Sequence, residues 1–260
     1  MNRIIKLNTD QCNIWFASDF HLDHDKEFVW GARGFENVVD HKNFILWRSN
    51  VAGTSLQPDK KENILVYLGD FSLSSTLIKT TRSLDFIAKS YDKVYYIPGN
   101  HESYIRNIKK TVRILKNFIN GYSIERCINF LRLKDQEYLE YLQDRVGSDI
   151  DEYLRFCISD NIRKIEWLGT ITNFSIDKKK VVCCHYPILS WDEMYHGSWH
   201  LHGHEHGSIQ TSWITHNHGK ILDVGVDVNL KLTGDKDVLA SWDYIKEQMN
   251  LKEVKSVGHH

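Results

Sequence analysis

This chain is poor in proline, in long apolar runs and in any surplus of positive charge. Its 33 Lys+Arg are matched by 34 Asp+Glu, a formal charge of −1 over 260 residues, so no global field drives it onto nucleic acid or an anionic membrane. No stretch approaches the run of about 20 apolar residues that a membrane helix needs, and the opening Met-Asn-Arg-Ile-Ile-Lys has no sustained apolar signal core. The expected compartment is the cytoplasm, with no membrane partner. With 3 Pro, 15 Gly, 42% hydrophobic and 26% charged residues, disorder and collagen-like structure are excluded, and one large domain or a domain plus an insertion is expected. The five cysteines (Cys12, Cys127, Cys157, Cys183, Cys184) are odd in number and contain no C-x-x-C pair. That argues against a disulfide framework and a zinc knuckle, and leaves reduced, buried thiols.

Histidine, by contrast, is plentiful: there are 14, eight of them between His185 and His218. His259 and His260, after Gly258, look like the start of a purification tag and are left out of the chemistry.

Short apolar runs rich in β-branched and aromatic residues recur, each ending in a polar cluster. Cys12–Ser18 runs into Asp19-Phe20-His21, Asn63–Leu68 into Gly69-Asp70, Lys93–Ile97 into Pro98-Gly99-Asn100-His101-Glu102, and Val181–Cys184 into His185. These read as buried strands, with helical patterns over Val39–Asn50 and Thr76–Ser90 between them. Such alternation predicts an α/β fold with a largely parallel sheet, whose ligands sit at the carboxyl ends of the strands. From Ser103 to about Leu168 the texture turns helical, with no convincing strand. Ile105, Ile108, Val112, Leu115 and Ile119 share a face, a second helix covers Lys134–Arg145, and a third starts after Ser148 or Asp149. The expected organisation is a core of residues 1–104 and 169–250, a helical insertion over 105–168 that caps or flanks the site, and a tail over 251–260.

Asp19 and His21, two apart on an extended backbone, point the same way, although many strands end in Asp-x-His by chance. Asp70 adds a second carboxylate after a glycine that permits a tight turn. Asn100 and His101 follow Gly99, His185 stands at a fourth strand end, and His204 and His206 form another i, i+2 pair after Gly203. Besides His101 the set holds two carboxylates, one carboxamide and four imidazoles. Oxygen and neutral imidazole without thiolate suit Mn, Fe, Zn or a similar divalent ion. Seven ligands are too many for one ion, and two ions sharing a carboxylate solve the count economically.

The order of these blocks, Asp19-x-His21, Gly69-Asp70, Gly99-Asn100-His101-Glu102, His185 and Gly203-His204-Glu205-His206, resembles the calcineurin-like metallophosphoesterase superfamily. The likeness is nearest to small bacterial and phage-type members, through Asp19-Phe-His-Leu-Asp-His24, His185-Tyr-Pro-Ile-Leu-Ser-Trp191, Gly197-Ser-Trp-His-Leu-His-Gly203 and Val224-Gly-Val-Asp-Val-Asn229. It implies a four-layer α/β/β/α sandwich with two divalent ions, Mn foremost and Fe, Zn, Ni or Mg as alternatives. By block matching, Asp19, His21 and His206 hold one ion, Asn100, His185 and His204 the other, and Asp70 bridges them. A bridging hydroxide is the nucleophile the resemblance implies, and His101 is left to protonate the leaving group or stabilise charge. In some relatives the Gly-Asp block continues as GDxxD, whose second carboxylate orients that histidine; here Leu73 stands in its place. Glu102 reads equally as an acceptor for a metal-bound imidazole or as a helix N-terminal acid.

His202 reads as a supporting residue, while His24 lies near the expected phosphate or braces its loop. His41, His216 and His218 have no motif around them. Arg106, Lys109, Lys110, Arg113 and Lys116 form a basic strip just past Asn100, with no Asp or Glu from Ser103 to Ile124. The strip is either a solvated face or a receiver of substrate phosphates. The expected partner is a phosphorylated small molecule or nucleotide. The function expected is hydrolysis of a phosphate ester, nucleotide or nucleic-acid derived, with a DNA or RNA nuclease as the alternative. A catalytically silent protein-binding scaffold is the reading from another class.

Overall fold

The apolar runs form strands that stop where their polar clusters begin. Chain order runs β1 (Ile4–Leu7), β2 (Cys12–Ala17), α1 (Glu27–Trp30), α2 (Val38–Thr54), β3 (Glu62–Tyr67), α3 (Leu77–Lys89) and β4 (Lys93–Tyr96). Then come α4 (Ile105–Ile114), α5 (Ile124–Lys134), α6 (Gln136–Val146), α7 (Ile150–Cys157), α8 (Asp160–Arg163), β5 (Ile165–Trp167), β6 (Ile171–Ile176) and β7 (Lys179–Cys184). The chain continues through β8 (Trp199–His202), β9 (Ile221–Asp223), α9 (Val226–Thr233), β10 (Ala240–Ser241) and α10 (Trp242–Asn250). The structure, a computed structural model, describes residues 3–54, 61–74, 76–118, 122–208, 219–234 and 237–254. Ile119, His216, His218, His259 and His260 lie outside them.

Two five-stranded sheets form, ordered β1-β6-β7-β8-β9 and β10-β2-β3-β4-β5. In the second, β2, β3, β4 and β5 are mutually parallel and β10 is antiparallel at the edge. In the first, β7, β8 and β9 are parallel, while β6 and β7 pair antiparallel. Composition and periodicity predict a single largely parallel sheet. The second sheet is the one the resemblance implies, and the whole is an α/β sandwich with two parallel-rich sheets.

The period of two along each strand decides which core a residue joins. Ile14, Phe16, Ile64, Val66, Leu68 and Tyr95 face Phe174, Val181, Cys183 and Leu201 of the other sheet. Their neighbours Ala17, Leu65, Tyr67, Val94 and Tyr96 face the helices instead. Strands buried on both faces explain why their sequences read as unbroken apolar runs.

The segment 105–168 differs from expectation at its end, because Ile165–Trp167 is a strand paired parallel to β4. Three residues are too short to show a period. The preceding helices share one apolar cluster with the sheet: Ile108, Leu131, Leu142, Leu154 and Ile162 pack in the same core as Leu84, Ile87 and Tyr96. Thr111 of α4 ties this packing together through hydrogen bonds to the hydroxyls of Tyr138 (2.9 Å) and Tyr153 (3.0 Å). Among the described residues no helix is long and apolar enough to cross a membrane.

A shared core has a measurable consequence. Leu154→Ala, at a fully buried position, should cost about 2–5 kcal/mol and shift one cooperative unfolding transition in urea. A separate early transition carrying the whole loss, with the remainder unmoved, would show that the helices unfold independently of the sheets.

Candidate metal centre

Six strand ends meet at one edge of the sandwich. Asp19 and His21 follow β2, Asp70 follows β3 and Asn100 follows β4; His185, His204 and Asp223 lie at or just past the ends of β7, β8 and β9. Five of the expected ligands have a left-handed backbone: Asp19 (φ 61°), His21 (49°), Asp70 (57°), His204 (74°) and His206 (50°). Asp and His tolerate that region better than most residues, but each still costs about 1–3 kcal/mol and persists only where neighbours over-determine it.

Those neighbours are visible. Beyond the strand pairing, Asp19 N donates to Gly69 O (3.0 Å), His21 N to Asp70 O (3.0 Å) and Leu22 N to Phe71 O (2.9 Å), so the two loops lace together. His204 N donates to Asp19 Oδ2 (2.9 Å) and His101 N to Asp70 Oδ1 (3.1 Å). A Cβ at Gly99 would strike the Asp70 carboxylate, and one at Gly203 would strike Ser18 and Asp19. Glycine at these two positions leaves room for the Asp70 carboxylate over Gly99 and for Ser18 and Asp19 over Gly203.

The donor atoms fall into two groups, Asp19/His21/His206 and Asp70/His185/His204, within each of which the ligand atoms lie no more than 4.8 Å apart. His21 Nε2 faces His206 Nε2 at 3.2 Å. His206 Nδ1 must donate to the Asp227 carboxylate, which it meets at 2.5 Å, so Nε2 of the neutral ring is a bare lone pair. Likewise His185 Nδ1 donates to Leu68 O (2.7 Å), which turns Nε2 toward Asn100 Oδ1 (3.0 Å), His204 Nδ1 (3.3 Å) and Asp70 Oδ2 (3.5 Å). Asp70 Oδ2 is also 3.9 Å from His21 Nε2, which places it between the groups. Asp19 Oδ1 is buried with no hydrogen-bond partner among the described residues. Acceptors aimed at one another in a desolvated site fit divalent cations of the oxygen- and imidazole-loving kind.

The electrostatics differ from group to group: burial lowers His185 and His206, but the Asp70 carboxylate on the first and the Asp227 carboxylate on the second outweigh it and raise both. Burial pushes Asp19 up to about 7, despite the nearby imidazoles. Burial works against Asp70 too, yet the His185 imidazole and the His101 N–H outweigh it and hold the carboxyl at about 2. His21 is pushed well below the ordinary histidine range by burial.

His101 stands at the rim with its side chain 47% exposed, its Nε2 3.9 Å from Asp70 Oδ2 and its ring 5.9 Å from that of His21. Leu73, in the place of the orienting carboxylate, instead uses its backbone N–H on Leu22 O (2.9 Å). The His24 ring is 6.2 Å from that of His21, and its Nδ1 accepts from Lys26 N (3.0 Å).

Glu102 follows neither expected reading. Its buried carboxylate accepts from Gly99 N (2.8 Å), Phe71 N (3.0 Å) and the Tyr96 hydroxyl, which bolts the loop carrying Asn100 to the loop carrying Asp70. Burial pushes it up to about 7.

His200 and His202 turn ring nitrogens to backbone groups. His200 Nδ1 donates to Val182 O (2.9 Å) while Nε2 accepts from Ile188 N (3.2 Å), and His202 Nδ1 donates to Gly203 O (2.8 Å). Burial lowers them to about 3 and about 4. In the basic strip, Arg106, Lys109, Arg113 and Lys116 are exposed. Lys110 departs from the others, because it pairs with Asp135 (2.6 Å) over the face of Tyr138 (3.8 Å).

Two residues at the centre escape sequence reasoning. Asp227 lies in the Val224–Asn229 segment that carries part of the resemblance, but no feature of its spacing marks it as a partner of the ligands. Arg33, which grips Asp227 through Nε (2.8 Å) and Nη2 (2.7 Å), sits in a Gly-Ala-Arg-Gly stretch without a recognisable signal.

The profile of the calcineurin-like phosphoesterase family matches residues 12–208. The chain belongs to that family, whose members hydrolyse phosphate esters. It is also similar to the crystal structure of the protein of unknown function AQ665 from Aquifex aeolicus, with 15% identity over 91% of this chain and 99% of that one, at a TM-score of 0.49. No curated protein matches the sequence significantly.

Glu102→Ala should destabilise the fold by about 1–3 kcal/mol for each buried donor it strands, read from urea denaturation. Glu102→Gln, which keeps an acceptor oxygen, should lose less. Equal losses in the two variants would show that the carboxylate's hydrogen bonds to Gly99 and Phe71 do not hold the loops.

Proposed function

We propose that this phosphoesterase works with two divalent ions, manganese being the foremost choice, on a phosphate ester derived from a nucleotide or a nucleic acid. The observation that carries the reading is the pair of donor groups sharing Asp70 between them. Asp19, His21 and His206 would hold one ion, Asn100, His185 and His204 the other, with Asp70 common to both. Such ions, when bound, polarise phosphoryl oxygens and lower the pKa of water toward neutrality.

The protein's own part is positioning. The interlaced loops fix the donors before substrate arrives, so no reorganisation is needed when charge develops. His101, half exposed at the rim, is placed to give a proton to the departing ester oxygen. With leucine at position 73, the nearby carboxylate is that of Asp70, which lies 3.9 Å from Nε2 and accepts from the His101 backbone N–H, so the centre holds the segment that carries this histidine.

Nuclease action is favoured by one observation. Arg106, Lys109, Arg113 and Lys116 are exposed on and just beyond α4, and none has an ion-pair partner among the described residues. Unpaired cations beginning five residues past His101 suit the flanking phosphates of a polynucleotide.

Chelation of the purified protein should abolish hydrolysis, and Mn2+ should restore it. Asp70→Asn should weaken uptake of both ions, measured by calorimetry, and remove turnover. His101→Ala should keep the metal and slow turnover by roughly 10²–10⁴; an unchanged rate would remove His101 from the chemistry. Metal uptake with no hydrolysis of either a monoester or a diester would overturn the enzymatic reading in favour of a scaffold. A double variant, Arg113→Gln with Lys116→Gln, should hurt turnover of an oligonucleotide far more than that of a small chromogenic ester. Equal losses would exclude the strip from substrate binding.

A further inference from the structure

The candidate ligands are not equally held by packing. The side chains of His21 and His185 are only 6% and 1% exposed, so their surroundings alone restrict the rings. His206 is different: its side chain is 41% exposed, on a loop whose backbone is left-handed at φ 50°. Without a tether such a ring samples several rotamers and presents either nitrogen.

The tether is a buried ion pair. Asp227 Oδ2 takes the His206 Nδ1 proton at 2.5 Å and the Arg33 Nη2 proton at 2.7 Å, while Asp227 Oδ1 takes the Arg33 Nε proton at 2.8 Å. Arg33 then spends its remaining donors on Asp19 O (Nη2, 2.8 Å), Phe20 O (Nη1, 3.0 Å) and His41 Nε2 (Nη1, 2.8 Å). A guanidinium has five N–H groups in a planar fork, and all five are used. The Arg33 side chain is 2% exposed. His41, a histidine without a motif, is the neutral acceptor for the fifth donor.

We propose that Arg33 and Asp227 are a positioning pair for the metal centre: Asp227 fixes which His206 nitrogen faces the ion, and Arg33 locks Asp227 to the Asp19–Phe20 backbone. One guanidinium thereby sets the separation of two ligands, Asp19 and His206, that are far apart in sequence and belong to different sheets. Lysine cannot substitute, because an ammonium has three donors and no planar fork. The pair rests on the reading of His206 as a ligand.

The test is Mn2+ titration of the full chain by calorimetry, with Asp227→Asn and Arg33→Lys beside the wild type. Asp227→Asn is nearly isosteric and should fold, so it carries the test even where Arg33→Lys, which strands buried acceptors, does not. Loss of a partner that orients a metal-bound histidine costs about 10–100-fold in affinity, and that drop is expected in one of two binding steps. The Co2+-loaded variant should show an altered visible absorption spectrum, and excess Mn2+ should restore turnover, which a general folding defect would not allow. Wild-type isotherms and an unchanged Co2+ spectrum in Asp227→Asn would overturn the pair while leaving the dinuclear reading intact. No Mn2+ uptake by the wild type would overturn both.

Discussion

Mutual repulsion among acceptors is the constraint on which the rest of this molecule turns. His21 and His206 aim nitrogen at nitrogen across 3.2 Å, and His185 aims its free nitrogen at a carboxamide oxygen 3.0 Å away. Two carboxylates with little exposure stand among them. In water such groups would be solvated singly; gathered in a desolvated edge, they are tolerable only with protons or cations between them. Much of the remaining architecture prevents them from moving apart.

That work is done by loops at strand ends rather than by the strands. Left-handed residues turn the chain sharply after β2, β3 and β8, and the strain is held by loop-to-loop hydrogen bonds that continue the ladder past the sheet. Glu102 bolts the third loop to the second, and Gly99 and Gly203 leave room for carboxylates to cross the backbone. The apolar clusters on either side of the β2-β3-β4 sheet supply the stiffness against which these contacts act. Function and stability are therefore opposed locally and reconciled globally, as is usual where strain collects at a site.

The strands ending at Asp19, Asp70 and Asn100 are legible in the sequence, because strands covered on both faces give continuous β-branched and aromatic runs. Other elements are not legible, and for reasons that differ. β5 and β9 span three residues each, too few for a period to show. The helices of 105–163 announce their apolar faces, but not that those faces join the core of the sheet, since a stripe of Ile and Leu packs equally well on a neighbouring helix or on a strand. Glu102 is hard to read because two of its partners, Phe71 N and Gly99 N, are backbone groups that leave no trace in side-chain identity.

The order of residues alone dictates the chemistry at the strand ends: oxygen and imidazole donors in a set succession, each following an apolar run, with glycines where the backbone must pass closely. Which of those donors meet, and what holds them, is settled only by how the chain packs. Arg33 reaches Asp227 across 194 positions in the chain, and an isolated arginine looks the same in sequence whether it is solvated or buried with every donor used. Spacing along a chain encodes local geometry, whereas the distance between two loops depends on the way two sheets lie against each other.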